Sequence, residues 1–193
     1  MSLNIIYSEI IKLFYFIINP LPGKLGTFLR MKYNYFLWNN PQNVYVRAYS
    51  EFIGQKNIKI GENASLGKNT FMAADDGLIE IGHNLQSNMN VQFNASGGGR
   101  LFIGNNVMIG PNVVIRTANH AFKRKDIPYN KQGHTYDDII IKDNVWIGAN
   151  VVVLSNVIIG ENSIIGAGAV VTKEVPPNVI SVGIPAVTIS KLT

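Results

Sequence analysis

The 193-residue sequence predicts an all-β solenoid, namely a parallel β-helix preceded by an α-helical segment and interrupted by one long protruding loop. Three features support this fold class: an apolar residue at every sixth position, Gly or Asn soon after it, and insertions at a single place in the repeat. A period of six differs from the period of about 3.6 for a helix or about 2 for an ordinary strand. It is typical of short strands and tight corners that form stacked triangular coils.

The repeat is clearest between residues 141 and 172. Its apolar positions there are Ile141, Ile147, Val153, Ile159, Ile165 and Val171. The same spacing holds within three earlier groups: Ile60, Leu66 and Met72; Ile81, Ser87 and Phe93; Ile103, Ile109 and Ile115. A unit of six residues cannot bury its apolar side chain alone, so we expect the coils to stack with these side chains filling the interior of a prism.

Every insertion into the repeat falls after the third unit of a coil. Residues 73–78 and 95–100 contain short insertions with turn-forming sequences, and residues 121–140 form a long loop. Insertions at one place in the repeat must leave the prism at one corner. Because long loops in compact repeat folds usually serve function, we expect a site at this corner.

Residues 1–52 lack the repeat and are expected to form a separate helical segment. Within it, residues 5–18 are too short to span a bilayer, and they lack the basic leader and cleavage site of a signal peptide. Two interpretations stay open. The segment could cap the open end of the prism, or it could rest on a membrane surface with its basic residues at the headgroups.

The β-helix domain is expected over residues 53–182, followed by a C-terminal tail over residues 183–193. Pro176 and Pro177 are expected to stop regular strand pairing and to close the last coil, since proline has no N–H to donate to a ladder.

Composition narrows the classes of partner and site. The chain has no Cys, which excludes disulfides and thiolate metal sites. A net charge of +5 and a pI near 9.4 favour anionic ligands or an anionic surface. The motifs of nucleic-acid-binding modules are missing, so no nucleic-acid partner is expected.

Three histidines are the candidates for acid–base chemistry. His120 ends the third unit of its coil, where a rigid strand meets the long loop, and this placement favours a general base over a merely exposed surface residue. His134 lies in the loop and could contact substrate. His83 is expected to face solvent at a corner. The three lie at different corners, so no metal site is expected.

Several motifs carry a resemblance to a known family: Asn119-His120, residues 143–149 (DNVWIGA), residues 165–173 (IGAGAVVTK), Pro176-Pro177 and residues 183–186 (GIPA). With these motifs the chain resembles the hexapeptide-repeat acyltransferases that fold as a left-handed β-helix. It is most similar to the sugar O-acetyltransferases of the galactoside, maltose, O-antigen and capsule types. The resemblance implies the left-handed coil and a homotrimer. It also implies that acetyl-CoA, as co-substrate, lies in a cleft between neighbouring prisms, with no metal required.

The resemblance also implies residue roles. His120 matches the histidine that takes the proton of the acceptor hydroxyl, which then attacks the thioester without an acyl-enzyme. Asn90 matches an active-site asparagine, although a purely structural corner asparagine is an equal alternative. The positions matching contacts to acetyl-CoA are Trp146, Ala149, Ala167, Thr172 and Lys173. Asn119 and His134 are expected to contact the acceptor.

The chain departs from the family pattern in three places. Val187 replaces the basic residue that usually follows the GIPA turn, and the nearest cation is Lys191. The N-terminal module of the maltose and galactoside enzymes is not recognisable in residues 1–50, which makes a small free sugar a less expected acceptor. The carboxylate or carbonyl group that orients His120 is left open, with four aspartates near the insertion corner as candidates: Asp75, Asp76, Asp137 and Asp138.

Together these observations predict an acetyl-CoA-dependent O-acetyltransferase that acts on a sugar hydroxyl of a cell-surface polysaccharide or its precursor. We expect it in the cytoplasm, with a peripheral contact at the inner membrane surface. An N-acetyltransferase acting on a nucleotide-linked amino sugar is the alternative enzyme. A non-catalytic or metal-binding scaffold is the alternative outside enzymes.

Overall fold

The computed structural model describes residues 3–38 and 43–192 of the chain. Two helices, α1 (Leu3–Ile18) and α2 (Gly23–Trp38), precede a parallel β-helix. The expected helical segment followed by an all-β solenoid is therefore confirmed.

The strands are numbered β1 to β21 in chain order, and all except β12, β13 and β21 build the three parallel faces of the prism. The first face contains β1 (Tyr45–Val46), β4 (Ser65–Leu66), β7 (Gln86–Ser87), β10 (Met108–Ile109), β15 (Trp146–Ile147), β18 (Ile164–Ile165) and β20 (Val179–Val182). The second face contains β2 (Glu51–Ile53), β5 (Phe71–Ala73), β8 (Gln92–Asn94), β11 (Val114–Arg116), β16 (Val152–Val153) and β19 (Val170–Val171). The third face contains β3 (Ile58–Ile60), β6 (Leu78–Ile81), β9 (Arg100–Ile103), β14 (Ile139–Ile141) and β17 (Val157–Ile159).

The predicted repeat positions fill the interior. All of them are buried, and even the polar member, Ser87, is only 8% exposed. Parallel pairing places equivalent positions of successive coils above one another, as in Ile109 with Ile147 and Ile147 with Ile165. Each coil thus adds aliphatic side chains to one continuous core, which explains why the period of six is so regular.

Two of the three corners are built by asparagine. At the third corner, between the third and first faces, the backbone φ is positive at Asn63, Asn84, Asn106, Asn144, Asn162 and Asn178. At the first corner, between the first and second faces, it is positive at Asn69, Asn90, Asn112 and Asn150. Asparagine tolerates this left-handed conformation better than most residues. The amide side chains also bond from coil to coil, as in Asn84 to Asn106 at 2.8 Å.

The second corner, between the second and third faces, receives every insertion, as predicted. It contains a 3₁₀ turn (Gln55–Asn57), the two short insertions, and an antiparallel ribbon of β12 (Ala118–His120) and β13 (His134–Tyr136). The long loop is shorter than the expected residues 121–140. Ile139 and Ile140 already belong to β14, because Ile139 is needed in the core.

Three boundaries differ from expectation. Parallel pairing begins at β1, so the β-helix starts before residue 53. The prolines do not close the last coil, because Ile159 pairs with Val175 and Ile164 with Ile180 beyond it. Pro176 and Pro177 lie in a corner, where their missing N–H groups leave the ladder intact. The tail forms β21 (Val187–Lys191), which pairs antiparallel with β20.

Arg30 on α2 forms hydrogen bonds with both the first coil and the end of α1. Its side chain is 1% exposed, and its Nε donates to the carbonyl oxygen of Val46 at 2.9 Å. Its Nη1 donates to the carbonyl oxygens of Ile18, Asn19 and Leu21 at 2.9, 3.0 and 2.9 Å. The last carbonyl groups of a helix have no partner within it, so Arg30 satisfies the end of α1 from a second helix. Burial lowers the pKa of the Arg30 guanidinium.

A second set of bonds joins α1 and its following turn to Ser50 beside β2. The Tyr15 hydroxyl and the Asn19 amide donate to the Ser50 carbonyl oxygen at 2.9 and 3.1 Å, and the Ser50 N–H donates to Asn19 Oδ1 at 3.2 Å. Burial raises the pKa of the Tyr15 hydroxyl. The helical pair is thus bonded to the coil at the N-terminal end of the prism.

Several apolar side chains in the second half of α1 are exposed. Among the side chains described there they are Ile10, Leu13, Phe14, Phe16 and Ile17. Neither helix in the described ranges is long and apolar enough to cross a membrane. The expected contact with a membrane surface stays a prediction.

We expect Arg30→Leu to lower the free energy of unfolding by about 3 kcal/mol or more, because buried carbonyl groups would lose their donors. Urea denaturation at fixed protein concentration measures this. Arg30→Lys should recover part of the loss, and Arg47→Leu, a change at an exposed arginine, should cost under about 0.5 kcal/mol. Equal effects of Arg30→Leu and Arg47→Leu would contradict the role of Arg30.

We expect the protein to co-sediment with phosphatidylserine vesicles, since an apolar helix surface on a basic protein suits an anionic interface. Phe16→Ser should weaken the association about tenfold, because burial of the ring is lost. High salt should weaken it as well. Co-sedimentation that is absent, or unchanged in Phe16→Ser, would reject the membrane contact.

Candidate active site

His120 stands on the ribbon that leaves the second corner of the prism. In the ribbon His120 is paired with His134, and the two imidazole rings lie 4.3 Å apart between centroids with an interplanar angle of 37°. Both side chains are exposed. Pairing of β12 with β13 therefore brings together two histidines that are fourteen positions apart in the sequence.

The base of the ribbon is bonded to the prism on two sides. The Asp137 N–H donates to the Thr117 carbonyl oxygen at 3.1 Å, which closes the ribbon where it meets the corner. The Asn119 Nδ2 donates to Ser155 Oγ on the next coil at 2.8 Å. These bonds fix the direction in which His120 projects. They also give Asn119 a positioning contact in addition to its expected contact with the acceptor.

The glycine-rich insertion supports the ribbon from the preceding coil. A Cβ on Gly99 would lie 2.6 Å from the Thr117 side chain, and one on Gly98 would lie 3.1 Å from the Tyr136 ring. Gly98 also has a φ of 102°, which side chains rarely tolerate. The insertion thus lets the backbone pass close beneath the ribbon.

An ion pair also links the end of the glycine-rich insertion to the chain that follows the ribbon. Arg100 Nε and Nη2 donate to Asp138 Oδ2 at 3.0 and 2.7 Å, and the Arg100 N–H donates to Asp138 Oδ1 at 3.0 Å. The bonds to Asp138 raise the pKa of Arg100. Asp138 is therefore engaged by Arg100. None of the hydrogen bonds found among the described residues joins Asp75, Asp76 or Asp137 to the His120 side chain. The expectation that one of the four aspartates orients His120 gains no support from the chain.

The loop beyond His120 is held in shape by one glutamine. Gln132 Nε2 donates to the carbonyl oxygens of Arg124 and Ile127 at 2.7 and 3.0 Å, and Gln132 Oε1 accepts the Arg124 N–H at 3.1 Å. Arg124 also pairs with Asp126, and this bond lowers the pKa of Asp126. A short 3₁₀ turn, Tyr129–Lys131, completes the loop.

An open pocket of about 450 Å³ lies between the ribbon and this loop, and it is lined by His120, Phe122, Tyr129 and Asn130. Its surface is mainly apolar. Sequence reasoning missed Phe122, Tyr129 and Asn130 as site residues. The available signal was their position in the long loop at the insertion corner.

The residues expected to bind acetyl-CoA divide between different parts of the prism. Thr172 and Lys173 follow β19 at the second corner, along the same edge as His120. Ala149 and Ala167 occupy the first corner, where the Gly168 N–H donates to the Ala149 carbonyl oxygen at 2.8 Å. Trp146 projects from the first face and is 49% exposed.

The first face bears an open groove of about 810 Å³. Trp146, Met108 and Met89 supply its apolar lining, and Arg47 and Lys68 supply positive charge. An apolar strip with cations could accommodate an elongated anionic ligand. The groove lies on a different face from the pocket at His120.

Asn90 belongs to the asparagine ladder of the first corner. Its Oδ1 accepts from Asn69 Nδ2 at 2.9 Å, and its own Nδ2 donates to Asn112 Oδ1 at 2.9 Å. It also has a φ of 59°. Within one chain Asn90 and His120 therefore occupy different corners, and Asn90 takes part in the ladder of its own corner.

His83 is an exposed corner residue, as expected, and its Nδ1 accepts the Glu62 N–H at 3.2 Å. Among the described residues, no three His, Cys, Asp or Glu side chains lie close enough together to hold a metal ion.

Comparison with protein families matches residues 138–173 to the bacterial transferase hexapeptide model of six repeats. The galactoside O-acetyltransferase of Escherichia coli is 34% identical over 175 residues, which is 90% of this chain and 82% of that protein. The galactoside O-acetyltransferase of Lactococcus lactis is 36% identical over 48% of this chain and 44% of its own length. The matches to the other curated relatives span 42% and 57% of their lengths.

Solved structures extend the likeness to the N-terminal helices. A maltose O-acetyltransferase from Clostridium difficile has a TM-score of 0.63 and 29% identity over 96% of this chain and 86% of its own. A Vibrio cholerae hexapeptide-repeat acetyltransferase complexed with acetyl-CoA has a TM-score of 0.63 and 27% identity over 95% and 85%. Such coverage means that the aligned ranges reach into residues 1–50. The expectation that these residues replace the N-terminal module stays a prediction.

An N-acyltransferase from Bacillus cereus, crystallised with dTDP-4-amino-4,6-dideoxyglucose and coenzyme A, has a TM-score of 0.67. Its identity is 22% over 78% of this chain and 82% of its own. At this identity the likeness concerns the fold alone.

Proposed function

The chain belongs to the hexapeptide-repeat sugar O-acetyltransferases, with their left-handed β-helix, and on this premise we propose that it transfers an acetyl group from acetyl-CoA to a sugar hydroxyl. The observation that carries the proposal is the position of His120. It stands on a ribbon that leaves the second corner of the prism, and it lines an open pocket of about 450 Å³.

The chemistry requires a base for the acceptor hydroxyl. An imidazole with an ordinary pKa near 6.5 accepts a proton at neutral pH, whereas a free hydroxyl is a poor nucleophile. In the proposed reaction His120 takes the hydroxyl proton while the oxygen attacks the thioester carbonyl carbon. A C–O bond forms, the C–S bond breaks, and the thiolate leaves with the proton that His120 returns.

The developing oxyanion needs a hydrogen-bond donor. An asparagine amide has two N–H groups, and Asn90 uses one of them in the corner ladder. We assign the second to the oxyanion of the tetrahedral intermediate. Because Asn90 and His120 lie at different corners of one chain, the two groups can meet only if Asn90 comes from a neighbouring copy.

The residues proposed to contact acetyl-CoA also require a neighbouring copy of the chain. Lys173 and Thr172 share an edge with His120, whereas Trp146, Ala149 and Ala167 lie on the first face or the first corner. A cleft formed by the His120 edge of one prism and the first face of the next would bring both sets onto one acetyl-CoA. The groove on the first face, with Arg47 and Lys68, offers positive charge for its phosphates. A homotrimer of prisms supplies three such clefts.

The acceptor is proposed to be a sugar of a cell-surface polysaccharide or its precursor. Because the chain is similar over most of its length to a maltose O-acetyltransferase, small glycosides belong in the first acceptor panel as well. The same panel should include an amino sugar linked to a nucleotide, because acetylation of its amino group would support the alternative of N-acetylation.

We expect His120→Ala to lower kcat by about 100-fold or more, because the general base is lost, while acetyl-CoA binding stays within about twofold of wild type. Thiol release and calorimetry measure the two quantities. His83→Ala, which removes an exposed corner histidine, is the matched control and should change neither. A variant lacking His120 that keeps more than about a tenth of kcat would reject the proposed base.

The double change Trp146→Ala/Lys173→Ala should weaken acetyl-CoA binding about tenfold or more.

We expect two inactive variants to complement each other. His120→Ala and Asn90→Gly should each be inactive alone. After the two chains are unfolded and refolded together, about a quarter of the clefts should combine an intact His120 with an intact Asn90.

Asn112→Gly is the matched control for Asn90→Gly, since both remove a ladder amide at a positive φ. It should lower stability to a similar extent and leave kcat unchanged. The proposal that His120 and Asn90 of neighbouring copies form one site would be contradicted by either of two results. The mixed trimers could recover no activity, or Asn112→Gly could lose as much kcat as Asn90→Gly. Sedimentation velocity establishes the trimer itself.

A further inference from the structure

We propose that His134 is a positioning residue for the proposed base, because its imidazole ring packs against the ring of His120 and fixes the direction of that ring. The inference rests on the proposed acetyl transfer and names an orienting group for His120 other than an aspartate. It also gives His134 a role other than the expected contact with the acceptor.

The register of the ribbon brings the two rings together. β12 and β13 pair antiparallel, with His120 directly opposite His134 and Asn119 opposite Thr135. Side chains at directly opposite positions leave the same side of a strand pair, and their Cβ atoms lie about 5 Å apart. The two imidazole centroids are 4.3 Å apart with an interplanar angle of 37°. At this separation the rings are in van der Waals contact, so each ring limits the rotation of the other.

Backbone hydrogen bonds on both sides of the histidine pair fix this register. On the loop side, the Ala121 N–H donates to the Gly133 carbonyl oxygen at 3.0 Å. On the prism side, the Asp137 N–H donates to the Thr117 carbonyl oxygen at 3.1 Å. A slip of one residue would turn one of the two imidazole rings to the opposite side of the ribbon. The ring contact is therefore a consequence of the backbone pairing.

Packing of one ring on another suits a base because it leaves the nitrogen atoms available. Among the hydrogen bonds found in residues 3–38 and 43–192, none involves the imidazole nitrogens of His120 or His134. An imidazole that accepts a proton needs a free lone pair on one nitrogen, and it returns the proton from the same atom. A partner that holds the ring by its face restrains rotation without competing for that lone pair.

The open pocket separates the two histidines. His120 lines it together with Phe122, Tyr129 and Asn130, whereas His134 does not belong to the lining. A residue that contacted the acceptor should share the pocket with the base. The position of His134 therefore fits a partner of His120 better than a partner of the acceptor.

A restraint on His120 matters because its side chain is exposed. An exposed histidine has about three staggered wells around χ1 and about two broad orientations around χ2. Catalytic geometry tolerates deviations of only about 0.5 Å, so a ring that spends time in other wells is a weaker base. Loss of the restraint should thus lower the rate of proton transfer more than the affinity for either substrate.

The first test is NMR on the full-length protein with ¹³C-labelled histidine. The sequence has three histidines, and His83→Ala assigns the signal of the one outside the ribbon. Ring-to-ring NOEs should join the other two imidazoles. The ring of His120 should have an order parameter of about 0.8 in wild type and below about 0.6 in His134→Ala, because the packing partner is lost.

The second test is turnover, measured as thiol release with methyl β-galactoside as the acceptor. His134→Ala should lower kcat about five- to tenfold, while the KM values for acetyl-CoA and the acceptor stay within about twofold. His134→Phe keeps an aromatic ring that can neither accept nor donate a proton, and it should retain at least about half of kcat. Thr135→Ala removes an exposed side chain from the same strand and is the matched control, which should change neither quantity.

The proposal is overturned if no ring-to-ring NOE appears, or if the order parameter of the His120 ring is the same in wild type and His134→Ala. Equal loss of kcat in His134→Phe and His134→Ala would overturn it as well, since a nitrogen of His134 would then be required. A rise in the acceptor KM alone would assign His134 to the acceptor instead. These outcomes are separate from failure of the proposed transfer, because the NMR experiment needs no turnover, whereas retention of activity in His120→Ala would reject the base itself.

Discussion

The positive φ of the corner asparagines is the constraint on which the prism depends. A coil can close only if the chain turns sharply at each corner, and residues with a side chain seldom adopt the left-handed conformation that such a turn requires. Asparagine at the first and third corners meets this need repeatedly, and its amide bonds to the equivalent amide of the next coil. The second corner lacks this regular column. It is therefore the corner at which the chain can leave the prism without breaking a ladder, and it is where His120 is found.

The repeat made the core predictable, because one buried residue in every six leaves a periodic signal. The ends of the prism left no such signal. Val175 pairs with Ile159 beyond the last clear repeat, and the prolines that follow lie in a corner where no N–H is missed. At the other end, one interpretation placed the basic residues of the helical segment at membrane headgroups. In the fold the guanidinium of one of them, Arg30, is buried and donates to carbonyl groups at the end of α1 and in the turn that follows. This bonding arises from tertiary packing and cannot be seen in a window of sequence.

The candidate site was predictable only in part. His120 could be identified because it ends a strand at the insertion corner and matches a family motif. One of the aspartates near it, Asp138, is engaged by Arg100, which lies 38 residues earlier in the chain, and this pairing could not be read from the sequence. The pocket was missed because it depends on the register of β12 and β13, which has no periodic pattern. Once the ribbon pairs His120 with His134, the loop folds back and brings Phe122 and Tyr129 to the imidazole. The assigned contacts with acetyl-CoA remain predictions.

The shape of a triangular prism explains why its site must be assembled from several parts. Its strands bury one side chain and expose the next, so each face is nearly flat and the interior is filled with aliphatic side chains. In the part of the chain that the structure describes, the prism offers open grooves, such as the one beside Trp146. A protruding loop or a second prism can add walls to such a groove. This chain has a braced loop next to His120, and the residues proposed to contact acetyl-CoA are divided between the His120 edge and the first face with its corner. Under the proposed function, the loop supplies part of the acceptor site, and association of the prisms would join the two groups of acetyl-CoA contacts in one cleft. The repeat would then supply the rigid frame and the contacts with acetyl-CoA, while the insertion and the oligomer would complete the two binding sites.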